Sequence, residues 1–237
     1  MNDALFIDIE TVPAQPNFQL LDPDWQSLWI AKLSKTMPEN FSVEETYRDR
    51  AGIMAEFGRV VCIATGYFSE DRTTRKTLFK VRAVAGEDEK RLLEEWVGMV
   101  DKFYALFPGF RFVGHNIKEF DIPYLCRRMM ALGVPLPKYL QISGMKPWET
   151  NLVDTMHQWR FGDTRHYVSL NLLARVLGIP TPKDDIDGSQ VQEVFYTDGD
   201  LDRIKRYCVK DVVTVARVMQ RFRDQPVLEE EEVIVVE

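Results

Sequence analysis

The amino-acid sequence predicts an α/β domain built around a mixed β-sheet. Runs rich in β-branched and aromatic residues come first along the chain, and helices that alternate with shorter strands follow them. A chain of 237 residues is long enough to bury a substantial core. Because no internal repeat divides the sequence, we expect one domain over residues 1–226 and an acidic, apolar tail over residues 227–237.

The first strand is predicted in ALFIDI (4–9), an apolar run that is interrupted by Asp8. Prolines at positions 13 and 16 end this strand. The following residues, 14–57, contain further prolines, two tryptophans and short fragments with helical spacing. We interpret them as an irregular insertion that lies over the domain.

A hairpin and a helix come next. RVVCIATGYF (59–68) and RKTLFKVRAVAG (75–86) are strong strand patterns separated by a short polar segment. Residues 87–107 then carry apolar side chains at helical spacing. The members of that apolar stripe are Leu92, Leu93, Trp96, Val97, Val100, Phe103 and Leu106.

The second half of the chain alternates strands with helices. A helix is predicted to begin at Asp121, with Pro123 in its first turn and Gly133 just past its end. The remaining predicted elements are strands at 111–116 and 151–153 and helices at 169–178 and 201–223.

Composition restricts the classes of function. The formal net charge is −7, which argues against a protein that coats nucleic acid by charge alone, since that requires an excess of Lys and Arg. The three cysteines, Cys62, Cys126 and Cys208, form no CxxC pair and suggest neither a zinc site nor a disulfide framework. No apolar run approaches the length of a membrane span, and no secretory leader is recognisable. We therefore expect a cytoplasmic protein with no membrane partner.

Two carboxylates stand out in the first strand. Asp8 and Glu10 are two residues apart, so their side chains point to the same face of the sheet. Carboxylates in an apolar strand are costly unless something pairs with them, and Mg²⁺ or Mn²⁺ is a suitable partner. The alternative is a strand end whose acids reach solvent or a salt bridge.

Two further acids have simple structural explanations when each is taken alone. Asp121 at a helix start is typical of an N-cap that accepts backbone hydrogen bonds. Asp211 lies four residues after Tyr207 in the last long helix, so the two side chains share one helical face. A buried aromatic beside a solvent-facing acid would produce the same pattern.

Taken together, these segments resemble a known family. DIET (8–11), GHNIKEFDIPYL (114–125) and YCVKD (207–211) are similar in order and local structure to the three motifs of the DEDD 3′–5′ exonucleases. These enzymes form the DnaQ-like branch of the ribonuclease H-like superfamily. The Tyr-x-x-x-Asp form of the third motif is that of the DEDDy subgroup.

Two other segments indicate a particular group within this family. SLNLLARVLGI (169–179) and KDDIDGSQV (183–191) are similar to freestanding predicted exonucleases related to the proofreading domains of family-B DNA polymerases. The resemblance implies a ribonuclease H-like mixed sheet flanked by helices. It also implies hydrolysis of phosphodiester bonds from the 3′ end of nucleic acid with two divalent metal ions, Mg²⁺ or Mn²⁺.

The resemblance assigns a role to each motif residue. It implies that Asp8 bridges both ions, that Glu10 and Asp211 complete the site of the ion that activates water, and that Asp121 holds the second ion. Tyr207 would orient the attacking water, because a tyrosine with a pKa near 10 is a poor general base at neutral pH.

Three further residues match family positions that contact substrate. Thr11 would contact the terminal nucleotide, and Asn116 and Phe120 would touch the strand, with Phe120 offering a face on which a base stacks. The expected partner is a single-stranded 3′ end, in a role such as DNA repair; DNA is favoured over RNA, although no sequence motif decides between them. No polymerase or repair partner can be named from the sequence.

Alternatives remain open at this stage. The same fold hosts structure-specific endonucleases and non-catalytic modules that bind nucleic acid or protein partners.

Phe120 is equally explained by core packing, and His115 by packing or a bond to the backbone. Asp154 is expected to support the site rather than bind metal. MHQWRFGDTRHY (156–167) is either the edge of a single-strand channel or a solvated loop, and VIVVE (233–237) has the propensity to add to a sheet edge.

Overall fold

A computed structural model describes residues 1, 3–34, 42–180 and 186–236 of the chain. Within these residues, six strands form one mixed sheet in the order β5-β4-β1-β2-β3-β6. The strands are β1 (Ala4–Pro13), β2 (Gly58–Glu70), β3 (Thr77–Ala85), β4 (Arg111–Gly114), β5 (Leu152–Asp154) and β6 (Val233–Val235). The predicted α/β architecture with a mixed sheet is therefore confirmed.

The pairing pattern places β1 at the centre of the sheet. β1 pairs with β2 in antiparallel orientation and with β4 in parallel orientation. β2 and β3 form the predicted hairpin, and β5 adds to β4 in parallel. β6 adds in parallel to the outer edge of β3, so the expectation that the tail joins a sheet edge is confirmed within the same molecule.

Helices cover both faces of the sheet. The helices are α1 (Pro23–Leu33), α2 (Val43–Arg50), α3 (Glu89–Leu106), α4 (Asp121–Leu132), α5 (Thr155–Arg160), α6 (Leu170–Val176), α7 (Val191–Glu193) and α8 (Leu201–Phe222). α3 and α4 pack on the face that receives Leu5, Ile7 and Ile9 of β1. α8 packs on the opposite face, against Ala4 and Phe6. The alternation of side chains along β1 thus decides which helix each residue meets.

Local signals in the sequence fix the helix ends. The carboxylates of Asp88 and Asp200 accept backbone hydrogen bonds at the starts of α3 and α8, and the hydroxyl of Ser169 does so at the start of α6. Gly133 follows α4 with a φ of 67°, a left-handed conformation that glycine adopts at little cost. α8 carries a continuous buried stripe, which explains why the end of the chain folds back onto the sheet.

The insertion after β1 has a small core of its own. α1, α2 and two short 3-10 turns at Phe18–Leu20 and Ala51–Ile53 lie in the segment expected to be irregular. Trp29 packs edge-to-face against Tyr47 and Phe57, with ring centroids 5.3 and 4.9 Å apart. Residues 35–41 of this insertion, and residues 183–185 of the KDDIDGSQV segment, lie outside the described residues.

None of the helices in the described ranges combines the length and the apolar character that crossing a membrane requires.

Candidate active site

β1 presents Asp8 and Glu10 toward the face covered by α8. Asp8 lies opposite Ala64 of β2, and Glu10 lies opposite Cys62. The register shifts directly after Glu10, because β2 contributes an extra residue between the partners of Glu10 and Thr11. Such bulges re-aim side chains next to functional sites. Glu10 is 7% exposed, and Asp8 is half-buried.

α8 brings the third motif over these acids. Tyr207, Cys208 and Asp211 lie on the part of the helix that faces β1. The Cys208 thiol donates to the backbone oxygen of Asp8 at 3.4 Å and contacts Asp8 Oδ2 at 3.5 Å. The Tyr207 hydroxyl donates a hydrogen bond to the Asp211 carboxylate. α8 therefore brings Asp211 close to the acids of β1.

The start of α4 supplies the fourth acid. Asp121 is the first residue of this helix and is 3% exposed. The backbone N–H groups of Asp121 itself and of Ile9 in β1 lie near its carboxylate and lower its pKa. Gly114 at the end of β4 allows the connecting loop to approach β1, because a β-carbon there would lie 2.9 Å from the carbonyl oxygen of Ile7.

Electrostatics show that the acids lie close to one another. Burial raises the pKa of Asp8 well above its usual range, and the charges of Asp211 and Asp121 raise it further. Burial and then the Asp8 and Asp211 charges raise the pKa of Glu10 in the same way. Burial raises the pKa of Asp121 to about 7, with Asp154 and Asp211 contributing. Clustered carboxylates that disfavour one another's charge are suited to receive a cation.

The donor set fits a hard divalent cation. A carboxylate oxygen of Asp8, one of Glu10 and the sulfur of Cys208 all lie within 4.8 Å of one another. Burial raises the pKa of the Cys208 thiol, so the sulfur stays protonated and acts as a hydrogen-bond donor to Asp8. The atoms that remain for an ion are carboxylate oxygens, which are the ligands preferred by Mg²⁺ and Mn²⁺.

A pocket opens beside this cluster. It has a volume of about 550 Å³ and is bounded by Thr11 of β1, by Gly52 and Ile53 of the insertion, and by several residues from Gly188 to Thr197. The Thr11 hydroxyl hydrogen-bonds to the Tyr124 hydroxyl, which in turn donates to the carbonyl oxygen of Gly52 at 2.8 Å. These contacts join β1, the insertion and α4 at the mouth of the pocket.

Asn116 and Asp154 organise the loop before α4. Asn116 has a φ of 64°, and its Oδ1 atom is buried and has no hydrogen-bond partner among the described residues. Asp154, 2% exposed, accepts the backbone N–H groups of Asn116 and Lys118, each at 3.1 Å, and two more at the start of α5. These bonds agree with the supporting role expected for Asp154.

Two aromatic side chains of the second motif differ in their surroundings. His115 is held through both ring nitrogens, by the Thr155 hydroxyl at 2.9 Å and the Val168 carbonyl oxygen at 2.8 Å. The expectation of a packed, backbone-bonded histidine is confirmed. Phe120 is half-buried and tilts against Tyr124 with ring centroids 5.4 Å apart, so part of its ring packs and part remains accessible.

Sequence reasoning missed three residues at the site. Cys62 and Cys208 share a hydrogen bond next to Asp8 and Glu10, although they are far apart in the chain. The sequence could have indicated Cys208, because it lies between Tyr207 and Asp211 in the third motif. It could not have indicated Cys62, because the place of Cys62 at the site depends on the register of β2 against β1. Gly188 lies over the site, since a β-carbon there would be 3.8 Å from the Tyr207 hydroxyl.

Comparison with known proteins adds independent evidence. Residues 53–231 match the model of a family described as "Predicted 3'-5' exonuclease related to the exonuclease domain of PolB". The family B DNA polymerase from the hyperthermophilic archaeon Pyrobaculum calidifontis is structurally similar, with a TM-score of 0.53 and 19% identity over 92% of this chain. The chain spans 24% of that polymerase, and at this identity the similarity establishes the fold alone. A search of curated proteins found no match.

Proposed function

Because the chain belongs to the family of predicted 3′–5′ exonucleases related to the exonuclease domain of PolB, we propose that it removes nucleotides from the 3′ end of single-stranded DNA by hydrolysis. The observation that carries this proposal is the convergence of Asp8, Glu10, Asp121 and Asp211 from β1, α4 and α8. Four acids from three elements in a shared electrostatic environment favour a bound cation, and the phosphodiester of a nucleic acid is a natural substrate for one.

The four carboxylates would hold two divalent metal ions, Mg²⁺ or Mn²⁺. Such ions supply Lewis-acid stabilisation of a phosphate and lower the pKa of a bound water. The burial of Glu10 and Asp121 supports this assignment, because buried acids that raise one another's pKa gain most from a neutralising ion. The Ile9 N–H, which lowers the pKa of Asp121, favours the charged form that a metal ion would bind.

Tyr207 would orient the attacking water through its hydroxyl. Burial, followed by the charges of Asp211, Glu10 and Asp8, raises the pKa of Tyr207 above its ordinary value. The hydroxyl therefore stays protonated and cannot serve as a resting base. Its hydrogen bond to Asp211 keeps it beside the acids, where it can direct the lone pair of a water toward phosphorus.

The pocket at Thr11 would receive the terminal nucleotide. Its lining includes Thr11, which follows Glu10 on β1, residues of the insertion, and Gly188, which lies next to Tyr207. Phe120 would stack on a base with the accessible part of its ring, and Asn116, on the loop before α4, would touch the strand. With a net charge of −7, the protein would grip a few nucleotides at the 3′ end rather than a long strand.

The test is a time course of product length. A short single-stranded DNA labelled at its 5′ end is incubated with Mn²⁺ or Mg²⁺, in parallel with RNA of the same sequence, duplex DNA and a circular single strand. We expect a ladder that shortens one nucleotide at a time on linear DNA, no cleavage of the circle and no activity with EDTA.

Each rival function predicts a different result. Cleavage of the circular strand would identify an endonuclease. Binding of the strand without any cleavage, by protein loaded with either metal ion, would identify a non-catalytic module. Faster shortening of RNA than of DNA would overturn the assignment of DNA as the substrate. Asp8→Asn, which removes one carboxylate, is the negative control for all substrates.

A further inference from the structure

Two aromatic side chains in the loop between α5 and α6 are exposed to solvent. Phe161 is 92% exposed and Tyr167 is 65% exposed. Both belong to the aromatic and basic segment MHQWRFGDTRHY (156–167), which the proposed active site does not use. We call residues 161–169 the α5–α6 loop. Rings that are this exposed contribute little to the core, so packing does not explain them.

The backbone at Phe161 makes the same point. Phe161 ends α5 with a φ of 46° and a ψ of 35°, a left-handed conformation. Bulky residues rarely adopt this conformation, whereas glycine does so at little cost. Because the ring is exposed, contacts within the chain do not offset the cost at Phe161. A bulky residue held in a costly conformation points to a role in binding.

The start of the α5–α6 loop is fixed to the second motif. The Glu119 carboxylate contacts His157 Nε2 at 3.0 Å and Arg160 Nη1 at 3.2 Å. Both of these partners lie in α5, directly before the loop. Glu119 itself is two residues before Asp121, the acid at the start of α4. The loop therefore begins beside the segment that supplies the fourth acid.

The end of the loop is fixed to the same motif. The Val168 carbonyl oxygen contacts His115 Nε2 at 2.8 Å. Arg160 joins the two ends of the loop, because its Nε donates to the carbonyl oxygen of His166. The two exposed rings are thus held on GHNIKEFDIPYL (114–125) by contacts on either side of them.

The charges around the loop favour an anionic ligand. The Arg165 side chain is 92% exposed, and 3.4 Å separate its Nε from Oδ1 of the half-exposed Asp163. Such an open ion pair contributes little, so a phosphate can replace the carboxylate at small cost. The loop and its anchor carry three basic and two acidic side chains in a chain with a net charge of −7: Lys118, Glu119, Arg160, Asp163 and Arg165. The local balance is positive and suits phosphate groups.

We propose that Phe161, Tyr167 and Arg165 form a second binding site, which holds the body of a single strand of nucleic acid while its 3′ end lies at the acids of β1. The two rings stack on bases and Arg165 pairs with a phosphate, the combination of contacts by which single strands are bound elsewhere. Because every base has a face that can stack, the site tolerates any sequence. The inference rests on the proposed function, since that function puts the 3′ end at the acids.

A second site of this kind makes affinity depend on strand length. A dinucleotide occupies only the site at the acids, whereas a longer strand contacts both sites at once. The second contact is then intramolecular and raises affinity without a further encounter. Changes in the loop should therefore weaken the binding of long strands and spare short ones.

The test measures the affinities of a dinucleotide and a dodecanucleotide of thymidine by fluorescence anisotropy. Asp8→Asn protein with Mn²⁺ is the parent, so that no cleavage disturbs the measurement. Phe161→Gly and Tyr167→Ala each remove one ring from the parent, and Arg165→Ala removes the exposed charge.

The chain offers a matched control for each kind of change. Trp148→Ala is the aromatic control, because Trp148 is 77% exposed but precedes the start of β5, whereas the loop follows the helix at the end of that strand. Arg91→Ala is the charge control, since Arg91 is an exposed residue of α3 on the face of the sheet opposite α8.

Each ring removed should weaken binding of the dodecanucleotide about fivefold or more, which corresponds to the lower end of base-stacking contributions. The affinity for the dinucleotide should stay unchanged. Arg165→Ala should reduce the slope of log Kd against log salt by about 0.7, as expected for one phosphate contact on a single strand. Because glycine relieves the left-handed conformation, Phe161→Gly should keep a melting temperature close to that of the parent. Both controls should bind as the parent does.

Photocrosslinking identifies the contact directly. Iodouracil in place of one internal thymine of the dodecanucleotide should crosslink to Phe161 or Tyr167, as located by mass spectrometry. The same base at the 3′ end should not crosslink to either residue.

The inference is overturned if the ring variants bind the dodecanucleotide as tightly as the parent, or if Trp148→Ala weakens it equally. It is also overturned if the dinucleotide loses as much affinity as the dodecanucleotide, or if the parent does not bind the longer strand more tightly. A cleavage time course with wild-type Asp8 separates this result from the proposed function. A 3′ ladder together with unaffected loop variants removes only the second site, whereas weakened variants without any wild-type cleavage remove only the exonuclease assignment.

Discussion

Carboxylates are buried on both faces of the central sheet, and the two groups are stabilised in different ways. Glu89, at the start of α3, is 6% exposed and accepts the Val60 N–H at 2.8 Å. Arg128 of α4 binds the same carboxylate through Nε at 2.9 Å and Nη2 at 2.6 Å. On the other face, the groups that act most strongly on Asp8 after burial are other carboxylates.

We interpret this difference as the one between a structural acid and the acids of the proposed metal site. The chain itself supplies the cation for Glu89, so that site is complete in the folded protein. The acids around Asp8 raise one another's pKa, and under the proposed function a divalent cation from solution would supply the positive charge that they lack. Burial alone does not distinguish the two groups, whereas the sign of the neighbouring charge does.

The largest expected effect on stability comes from breaking the structural pair. Arg128→Met should lower the free energy of unfolding by about 3–5 kcal/mol, because it leaves the Glu89 charge buried without a partner. Urea unfolding measures this loss. The double variant Glu89→Gln with Arg128→Met should recover part of it, and a loss of less than about 1 kcal/mol would mean that the pair is not a stabilising element.

Removing a functional acid should give the opposite pattern. Asp8→Asn should lower turnover about 10³-fold or more, since an ion held in place supplies several kcal/mol to the transition state. Without metal, its free energy of unfolding should equal or exceed that of wild type, because one of several repelling charges is gone. A marked loss of stability in metal-free Asp8→Asn would indicate a structural role for Asp8, like that of Glu89.

Tyr207→Phe should have an intermediate effect that is confined to turnover. Only the hydroxyl is lost, so packing and metal affinity should be kept while kcat falls about 10–10²-fold and KM changes little. Steady-state kinetics on single-stranded DNA separate the two constants. Wild-type turnover in the folded variant would remove Tyr207 from the mechanism even if the four acids remain.

Phe120→Leu should have the smallest effect. Leucine keeps the contact with Tyr124 and removes the aromatic face, so affinity for single-stranded DNA should fall by up to about tenfold, near the lower end of base-stacking contributions. Fluorescence titration with the inactive Asp8→Asn background measures binding without cleavage. Unchanged affinity together with lower stability would show that the ring serves only the core.

Much of the fold follows from local patterns in the sequence. Apolar periodicity and capping residues placed the hairpin, α3, the start of α4 at Asp121 and the whole of α8 within a few residues of their positions. The two-residue spacing of Asp8 and Glu10 was sufficient to place both on one face of β1, because side-chain direction alternates along any strand.

The parts that were not predictable depend on contacts distant in sequence. The proximity of Cys62 to Cys208 requires the register of β1 against β2, including a bulge that no local signal marks. The aromatic core around Trp29 appears only when the insertion folds on itself. The strand propensity of the tail was evident, but the choice of β3 as its partner depends on the strand order of the folded sheet. The catalytic roles of the acids and Tyr207 remain predictions.

The most direct test of a functional metal site is the effect of Mn²⁺ on the free energy of unfolding. At a Mn²⁺ concentration of about 100 times the dissociation constant, wild-type protein should gain about 2.7 kcal/mol for each ion that it binds, because the ion binds only the folded state. Arg128→Met should gain the same increment from its lower starting stability, and Asp8→Asn should gain little. If Mn²⁺ leaves wild-type stability unchanged, or stabilises Asp8→Asn equally, the acids around Asp8 do not form the metal site that the proposed exonuclease requires.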